Sequence, residues 1–447
     1  MRQPKALPLL SFVKMWQFFS HYGNRALLVL YMVGELGFSD SRAYAVYAVY
    51  CSLVELGGLG GGWIADRWLG LKRTCLVGSG LIAAGHLILP FEGSLFLGLA
   101  FIAVGTGLFA TNISALLGQF YENNDPRRER GFTLFYMGMN GGAFIATLAC
   151  GFAAERLGWH AGFGLAAAGM VLGSGGLLLS LPMLRGKGDP TGKVSYLPAL
   201  IAVAAALPAV CLALEHASAA LPLLPAAVLL ALATLFFRLP TKEIAVALTA
   251  LILFFSAEEQ IGSSLLLFME KMGTKQCLGI PLLPVTALAI NPLVIICLGG
   301  AATAAGARLR RHRLPTAFVL AATGFALVAL SPLVGPPFPL EIALLTMLLI
   351  SCAELLIGPH LFARCSASAP KGREGVAMAF LPLGFSMASL AGGALSGLVA
   401  QGGAEPSLEL YGKGFGTITL LLAAAAALFW IPPLLAGSKK NDLPQTG

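Results

Sequence analysis

Stretches of about 20 mostly apolar residues, the length a helix needs to cross a bilayer, recur along nearly the whole chain between short polar turns. They predict fourteen membrane-spanning helices, near 9–34, 43–65, 74–92, 95–120, 131–155, 161–184, 196–214, 218–237, 243–270, 283–307, 314–334, 338–363, 375–400 and 412–436. Only the polar turn Glu215-His216 separates 196–214 from 218–237, so that pair also reads as one broken or re-entrant segment.

Composition narrows the class. Of 447 residues, 57% are apolar and only 11% charged, against about 25% charged in a soluble domain. Too little charge remains to solvate a globular surface, which excludes a soluble or disordered chain and a nucleic-acid binder despite the net charge of +8. The 54 Gly suit close helix–helix approach in lipid. The eight Cys are scattered singly without a C-x-x-C pair, so neither disulfides nor a metal site is expected.

Lys and Arg set the orientation. With the N-terminus cytoplasmic, 22 of the 29 basic residues fall in inside segments; Arg42, Arg156, Lys271, Lys275 and Lys413 fall outside, and Lys14 and Arg25 lie within the first span. A multi-pass protein of the cytoplasmic membrane with both termini inside is expected. The basic excess is thus a topology signal. Leu7–Val13 is too short for a signal-peptide core and runs straight into a span. The sequon Asn112-Ile113-Ser114 sits inside the fourth span, and the terminal Leu443-Pro444-Gln445-Thr446-Gly447 resembles a sortase signal that lacks the following span, so it reads as coincidence or an appended tail.

The polar linker 185–195 divides six spans from two, and Arg238–Lys242 divides those two from six more. This predicts an all-α fold of two six-helix bundles, 1–184 and 243–447 with a short cytoplasmic tail, joined by a segment 185–242 that inserts two extra helices. Such a plan is that of a secondary transporter with its site near the midplane. The turn Gly62-Trp63-Ile64-Ala65-Asp66-Arg67-Trp68-Leu69-Gly70-Leu71-Lys72-Arg73 resembles the loop between helices 2 and 3 of the major facilitator superfamily, which marks Asp66 and Arg67 as a cytoplasmic gate. Without a Gly-x-x-x-x-Gly-Lys-Ser/Thr phosphate loop, an ion or substrate gradient is expected to supply the energy, with no cofactor.

An ionisable side chain at the bilayer centre costs about 2.5–3.5 kcal/mol on insertion scales, so each is a candidate site residue. Lys14, Gln17, His21 and Arg25 fall on one stripe of the first span, with Tyr22 beside it. The stripe faces an aqueous cavity, or its two ends snorkel to the membrane surfaces. Glu55, on a span that also carries Tyr44, Tyr47 and Tyr50, is neutral or paired with a cation such as Lys14. Glu258 and Glu259 diverge by about 100° on a helix; Glu259, on the face of Ser263, is the one expected to point inward. Glu354 precedes Gly358-Pro359, a pair that can kink its helix. His86 is expected to make a structural hydrogen bond. Cations in the first half and carboxylates in the second suit a zwitterion, its carboxylate toward Arg25 and its amine toward Glu354.

At these residues the chain resembles the proton-dependent oligopeptide transporter family. The resemblance covers Ser20-His21-Tyr22-Gly23-Asn24-Arg25, Gly105-Thr106-Gly107-Leu108-Phe109, Asp125-Pro126-Arg127-Arg128-Glu129-Arg130-Gly131-Phe132 and Phe135-Tyr136-Met137-Gly138-Met139-Asn140-Gly141. It continues in Glu258-Glu259-Gln260, Asn291-Pro292-Leu293 and Glu354-Leu355 with Gly358-Pro359. It implies proton-driven uptake of di- and tripeptides by a monomer. Arg25 would receive the peptide carboxylate, Asn140, Asn291 and Glu354 would contact the backbone and amino terminus, and Tyr22 would line a pocket. Glu259 and Glu354, then Glu55 and His21, would carry protons. The departures are equally specific. The family's Glu-x-x-Glu-Arg reads Lys14, Gln17 and Phe18 here, its Lys after Gly-x-Gly-Leu-Phe is Ala110, and a pocket Tyr is Glu55. Either the charges have been relocated, with Lys14 replacing the lost Lys and pairing with Glu55 or Glu259, or the substrate has changed. The second alternative is a transporter or exporter of a non-peptide or siderophore-like metabolite with altered or absent proton coupling. A transporter-like receptor is a further reading, and no nucleophile–base or metal-ligand constellation points to an enzyme.

Overall fold

A computed structural model describes residues 2–122, 125–190, 192–238, 242–282, 287–309, 312–400 and 407–435. The terminal Leu443–Gly447 motif, the rest of the expected C-terminal tail and Arg310-Arg311 lie outside the described residues. Each of the fourteen apolar stretches contains a helix. The first six are α1 (Leu7–Gly34), α2 (Asp40–Ile64), α3 (Leu71–Ile88), α4 (Leu95–Gly118), α5 (Arg127–Leu157) and α6 (Trp159–Ser180). The inserted pair is α7 (Tyr196–Glu215) and α8 (Leu224–Arg238), and α7 ends at the polar turn the sequence marks. The remainder are α9 (Lys242–Glu258), α10 (Ser264–Met272), α11 (Ile290–Arg308), α12 (Arg313–Ala329), α13 (Leu340–Ala367), α14 (Phe380–Ala400) and α15 (Leu408–Leu435). Among the described residues, nine helical segments are long and apolar enough to cross a membrane.

One expected span is not continuous. The stretch 243–270 stops helical pairing at Glu258 and resumes at Ser264. Between them Ile261 N donates to Glu258 O at 2.9 Å and Leu265 N to Gln260 O at 2.8 Å, a turn that frees backbone groups beside the carboxylates. α13, by contrast, runs helically through Pro359.

The chain forms two compact units. Unit 1 comprises Met1–Ser256, Asn291–Gly300 and Gly358–Ala391; unit 2 comprises Ala257–Ile290, Ala301–Ile357 and Gly392–Gly447. In unit 1, α1 packs on α5 and α6, and α4 on α2 and α3. The α2–α4 approach needs glycine, because a Cβ on Gly61 would run into the Gly107 carbonyl. The inserted pair is integral to this unit. Ala199 and Val203 of α7 share a core with Ile64, Leu69 and Leu108, while Val228, Leu232 and Leu235 of α8 pack with Ile244, Phe380 and Leu383. The polar linker is docked at its start: Asp189 pairs with Lys72 at 3.0 Å and Arg73 at 3.4 Å, and Gly188 N donates to Gln119 Oε1 at 2.6 Å.

Unit 2 is built on α12 against α15. Phe268 of α10 is ringed by Phe338, Tyr411 and Phe415 at centroid distances of 5.0–5.6 Å. A minimal antiparallel hairpin, Gln276–Cys277 with Ile280–Pro281, turns at Leu278 and Gly279, both with positive φ.

Candidate functional site

Unit 1 gathers its intramembrane charges where α1, α2 and α4 meet. Lys14 is buried, 3% exposed, and does not snorkel. Its Nζ donates to the Ala110 carbonyl at 3.5 Å and lies 4.8 Å from the Phe18 ring centroid. Three turns along, Arg25 Nε donates to Tyr47 Oη at 2.8 Å, and its guanidinium lies 5.7 Å from the rings of both Tyr22 and Tyr47. The Tyr47 bond and aromatic faces hold the cation in place. Glu55 is half-buried and sits in the electrostatic field of both Arg25 and Lys14, with no close ion pair to either among the described residues. Two cations therefore share one carboxylate, leaving an excess positive charge.

The polar stripe of α1 is completed by Gln17 and His21. Among the described residues Gln17 Oε1 and His21 Nδ1 are buried and unpartnered, although such groups almost always find a partner in a finished core. The His21 ring packs edge-on to Tyr22 at 5.3 Å. Behind the stripe, His86 Nε2 and Ser20 Oγ form the expected structural hydrogen bond at 2.6 Å, and Asn24 Nδ2 donates to Tyr50 Oη at 3.1 Å. Asn140 is half-buried on α5 and donates to its own helix at Tyr136 O, 3.1 Å away. Asn291 is half-buried on α11. Sequence reasoning missed Tyr47; the spacing Tyr47, Cys51, Glu55, four residues apart each time, puts it on the Glu55 face.

Unit 2 carries the acids. Glu354 is 4% exposed on α13. Glu258, at the end of α9, lies in the field of Glu354 and then of Glu259. Glu258 is half-buried and Glu259 exposed, so Glu258 is the member of the adjacent pair that faces the protein. The expectation for Glu259 assumed a continuous helix, and the break removes that assumption. The break is held by Gln260, fully buried, which donates to Gly392 O at 3.0 Å and accepts from Ser264 Oγ at 2.7 Å and Ser396 Oγ at 2.9 Å. The sequence contains this residue but no signal of that role.

At the end of unit 1 that carries the basic loops, Asp66 caps the short helix Glu374–Met378. Its Oδ1 accepts from Gly375 N at 2.9 Å and its Oδ2 from Val376 N at 2.8 Å. Carboxylates are favoured there by the unpaired amides and the helix dipole. Arg67 instead lies over Trp63, 5.8 Å from its centroid. Nearby, Arg128 donates to Ser366 Oγ at 2.9 Å and Tyr121 O at 2.7 Å. Asp125, hydrogen-bonded to the Arg127 side chain and backbone, has its carboxyl held below the usual range by that guanidinium.

A family profile described as the POT family matches residues 72–207. Along its length the chain is similar to the peptide transporter YePEPT of Yersinia enterocolitica subsp. palearctica, 31% identical over 494 aligned residues covering 96% of this chain and 94% of that one. Among solved structures it is similar to a POT family transporter in complex with a thioalcohol-conjugated peptide, with 26% identity, a TM-score of 0.75, and coverage of 98% and 97%. A POT family transporter in complex with 5-aminolevulinic acid matches at 25% identity and a TM-score of 0.74, again over 98% and 97% of the two chains.

Proposed function

From the premise that the chain belongs to the POT family of multi-pass helical transporters, we propose that it moves di- and tripeptides or peptide-like zwitterions across the cytoplasmic membrane by alternating access, coupled to protons. The observation that carries this reading is the excess cation in unit 1. Arg25, fixed by Tyr47, and Lys14, anchored on Ala110, outnumber Glu55, so an anionic group completes the charge balance there. A peptide carboxylate supplies it; Tyr22 offers a ring face to the same ligand, and His21 Nδ1 and Gln17 Oε1, unpartnered among the described residues, offer polar atoms. In unit 2, Glu354 and Glu258 match an amine in charge. Two carboxylates in mutual range cannot both ionise without cost, which suits them to exchange a proton as substrate comes and goes. Glu259, Glu55, Asn140 and Asn291 are secondary contacts.

In this reading both termini lie in the cytoplasm, and the protein works as a monomer of two sequence halves, 1–184 and 243–447, with 185–242 inserted between them; the compact units cut across that division, since unit 1 takes in 185–242 and the segments Asn291–Gly300 and Gly358–Ala391 of the second half. Asp66 serves as the cytoplasmic gate. Two ligands of relatives fit this chemistry: the thioalcohol-conjugated peptide and 5-aminolevulinic acid each occur in a complex with a POT family transporter. Arg25→Ala tests the carboxylate assignment. Its affinity for dialanine is expected to fall further than its affinity for dialanine methyl ester; an equal loss would make Arg25 a structural residue.

A further inference from the structure

We propose that the outer end of the inserted helix pair is a binding site for a phospholipid whose headgroup carries a primary amine, such as phosphatidylethanolamine in the outer leaflet. A cleft of about 390 Å³ lies in unit 1 where the start of α2 meets the turn between α7 and α8. That volume is within the roughly 300–1,000 Å³ of small-ligand sites. Arg42 and Val46 line one side, and Glu215, His216 and Ser218 the other.

Three features point to a lipid. First, the cleft holds one cation and one anion, and among the described residues no ion pair joins Arg42 to Glu215. The Arg42 guanidinium is instead stacked 4.0 Å from the Phe38 ring centroid, which orients its donors for a phosphate. Among the described residues Glu215 accepts only a weak thiol contact from Cys211 at 3.7 Å, leaving its carboxylate able to receive an ammonium. Phosphate on Arg42 and amine on Glu215 make a zwitterionic headgroup complementary, whereas a choline headgroup has no N–H to donate. Second, the flanks are apolar and exposed: Leu212 is 58% exposed and Leu223 67%, surfaces on which acyl chains can lie. Third, Tyr44, 61% exposed half a turn from Arg42, is an aromatic of the kind enriched at the membrane–water boundary. This site gives the inserted pair a task separate from peptide recognition, since none of its charges belongs to the substrate cluster.

Native mass spectrometry of the full-length protein, purified in detergent and titrated with phosphatidylethanolamine or phosphatidylcholine of identical chains, tests the proposal. The wild type is expected to retain phosphatidylethanolamine with a threefold to fivefold preference, about the range an exposed ion pair provides. Glu215→Gln should bring that preference to about one, and Arg42→Gln should weaken retention of both lipids. Soluble glycerophosphoethanolamine should not displace the lipid, because the chains contribute; displacement would assign the cleft to a soluble ligand and overturn the lipid claim. Equal retention of both lipids by the wild type, or an unchanged preference in Glu215→Gln, would also overturn it. A thermal midpoint measured without lipid keeps folding defects in either variant distinguishable from lost binding.

Discussion

Lys14 Nζ, carried by α1, donates to the Ala110 carbonyl oxygen on α4 at 3.5 Å. Ala110 stands where the resembled family bears a Lys. The ammonium reaches the backbone at this position from another helix, α1. Of the two accounts the sequence leaves open, relocated charges or a changed substrate, this contact favours the first.

Lys14→Gln is therefore expected to lower dialanine uptake by about tenfold or more, since it removes one of the two cations proposed to balance the peptide carboxylate, and a charge-assisted contact of that kind contributes about 1.5–3 kcal/mol. Returning the charge to α4 in a Lys14→Gln, Ala110→Lys double variant should recover part of the loss. Uptake by Lys14→Gln at the wild-type rate would remove Lys14 from the mechanism.

The acids of unit 2 separate binding from coupling. Glu354→Gln should abolish dialanine binding, measured by thermal shift or calorimetry. Glu258→Gln should keep gradient-free exchange of labelled peptide and lose gradient-driven accumulation, whereas Glu259→Gln should affect accumulation less. The reverse ranking of Glu258 and Glu259 would contradict the geometry of the broken helix.

Asp66 caps the helix Glu374–Met378 with both carboxylate oxygens. Asp66→Ala should cost about 1 kcal/mol, the usual loss of an N-cap, and slow transport by disturbing the cytoplasmic end. Asp66→Asn, whose single oxygen can serve only one amide well, should fall between. A thermal midpoint unchanged in both variants would show that the cap contributes nothing.

Asp125 gives a pH signature. Arg127 depresses its folded-state pKa below the ordinary 3.8, so its contribution is present above that value and is lost as pH falls through the depressed one. Asp125→Asn should melt below the wild type at pH 7, and the gap should narrow toward pH 3. A gap constant over that range would mean the pairing with Arg127 is not its source.

Hydropathy made most of the fold legible, because a bilayer forces every spanning backbone to satisfy itself within helices. Apolar runs therefore mark elements with little tertiary context. What the pattern could not show was the break at Glu258–Ser264. It depends on Gln260 bonding to Gly392 and Ser396, more than 130 residues away, and no local signal encodes such partners. The α1 stripe was readable because periodicity alone places Lys14, Gln17, His21 and Arg25 on one face. That Lys14 is held inside by Ala110 was not, since a Lys near a helix start can equally snorkel. The turn carrying Asp66 was readable from spacing in Gly62–Arg73, but the donors its carboxylate accepts from, the amides of Gly375 and Val376, lie some 310 residues away.

The most direct test of the transport claim is uptake of labelled dialanine into proteoliposomes holding the folded protein, with and without an inward proton gradient. Proton-driven peptide transport predicts uptake that the gradient accelerates and that unlabelled dipeptides compete away. No dialanine uptake in either condition, from protein shown to be folded and correctly inserted, would contradict it.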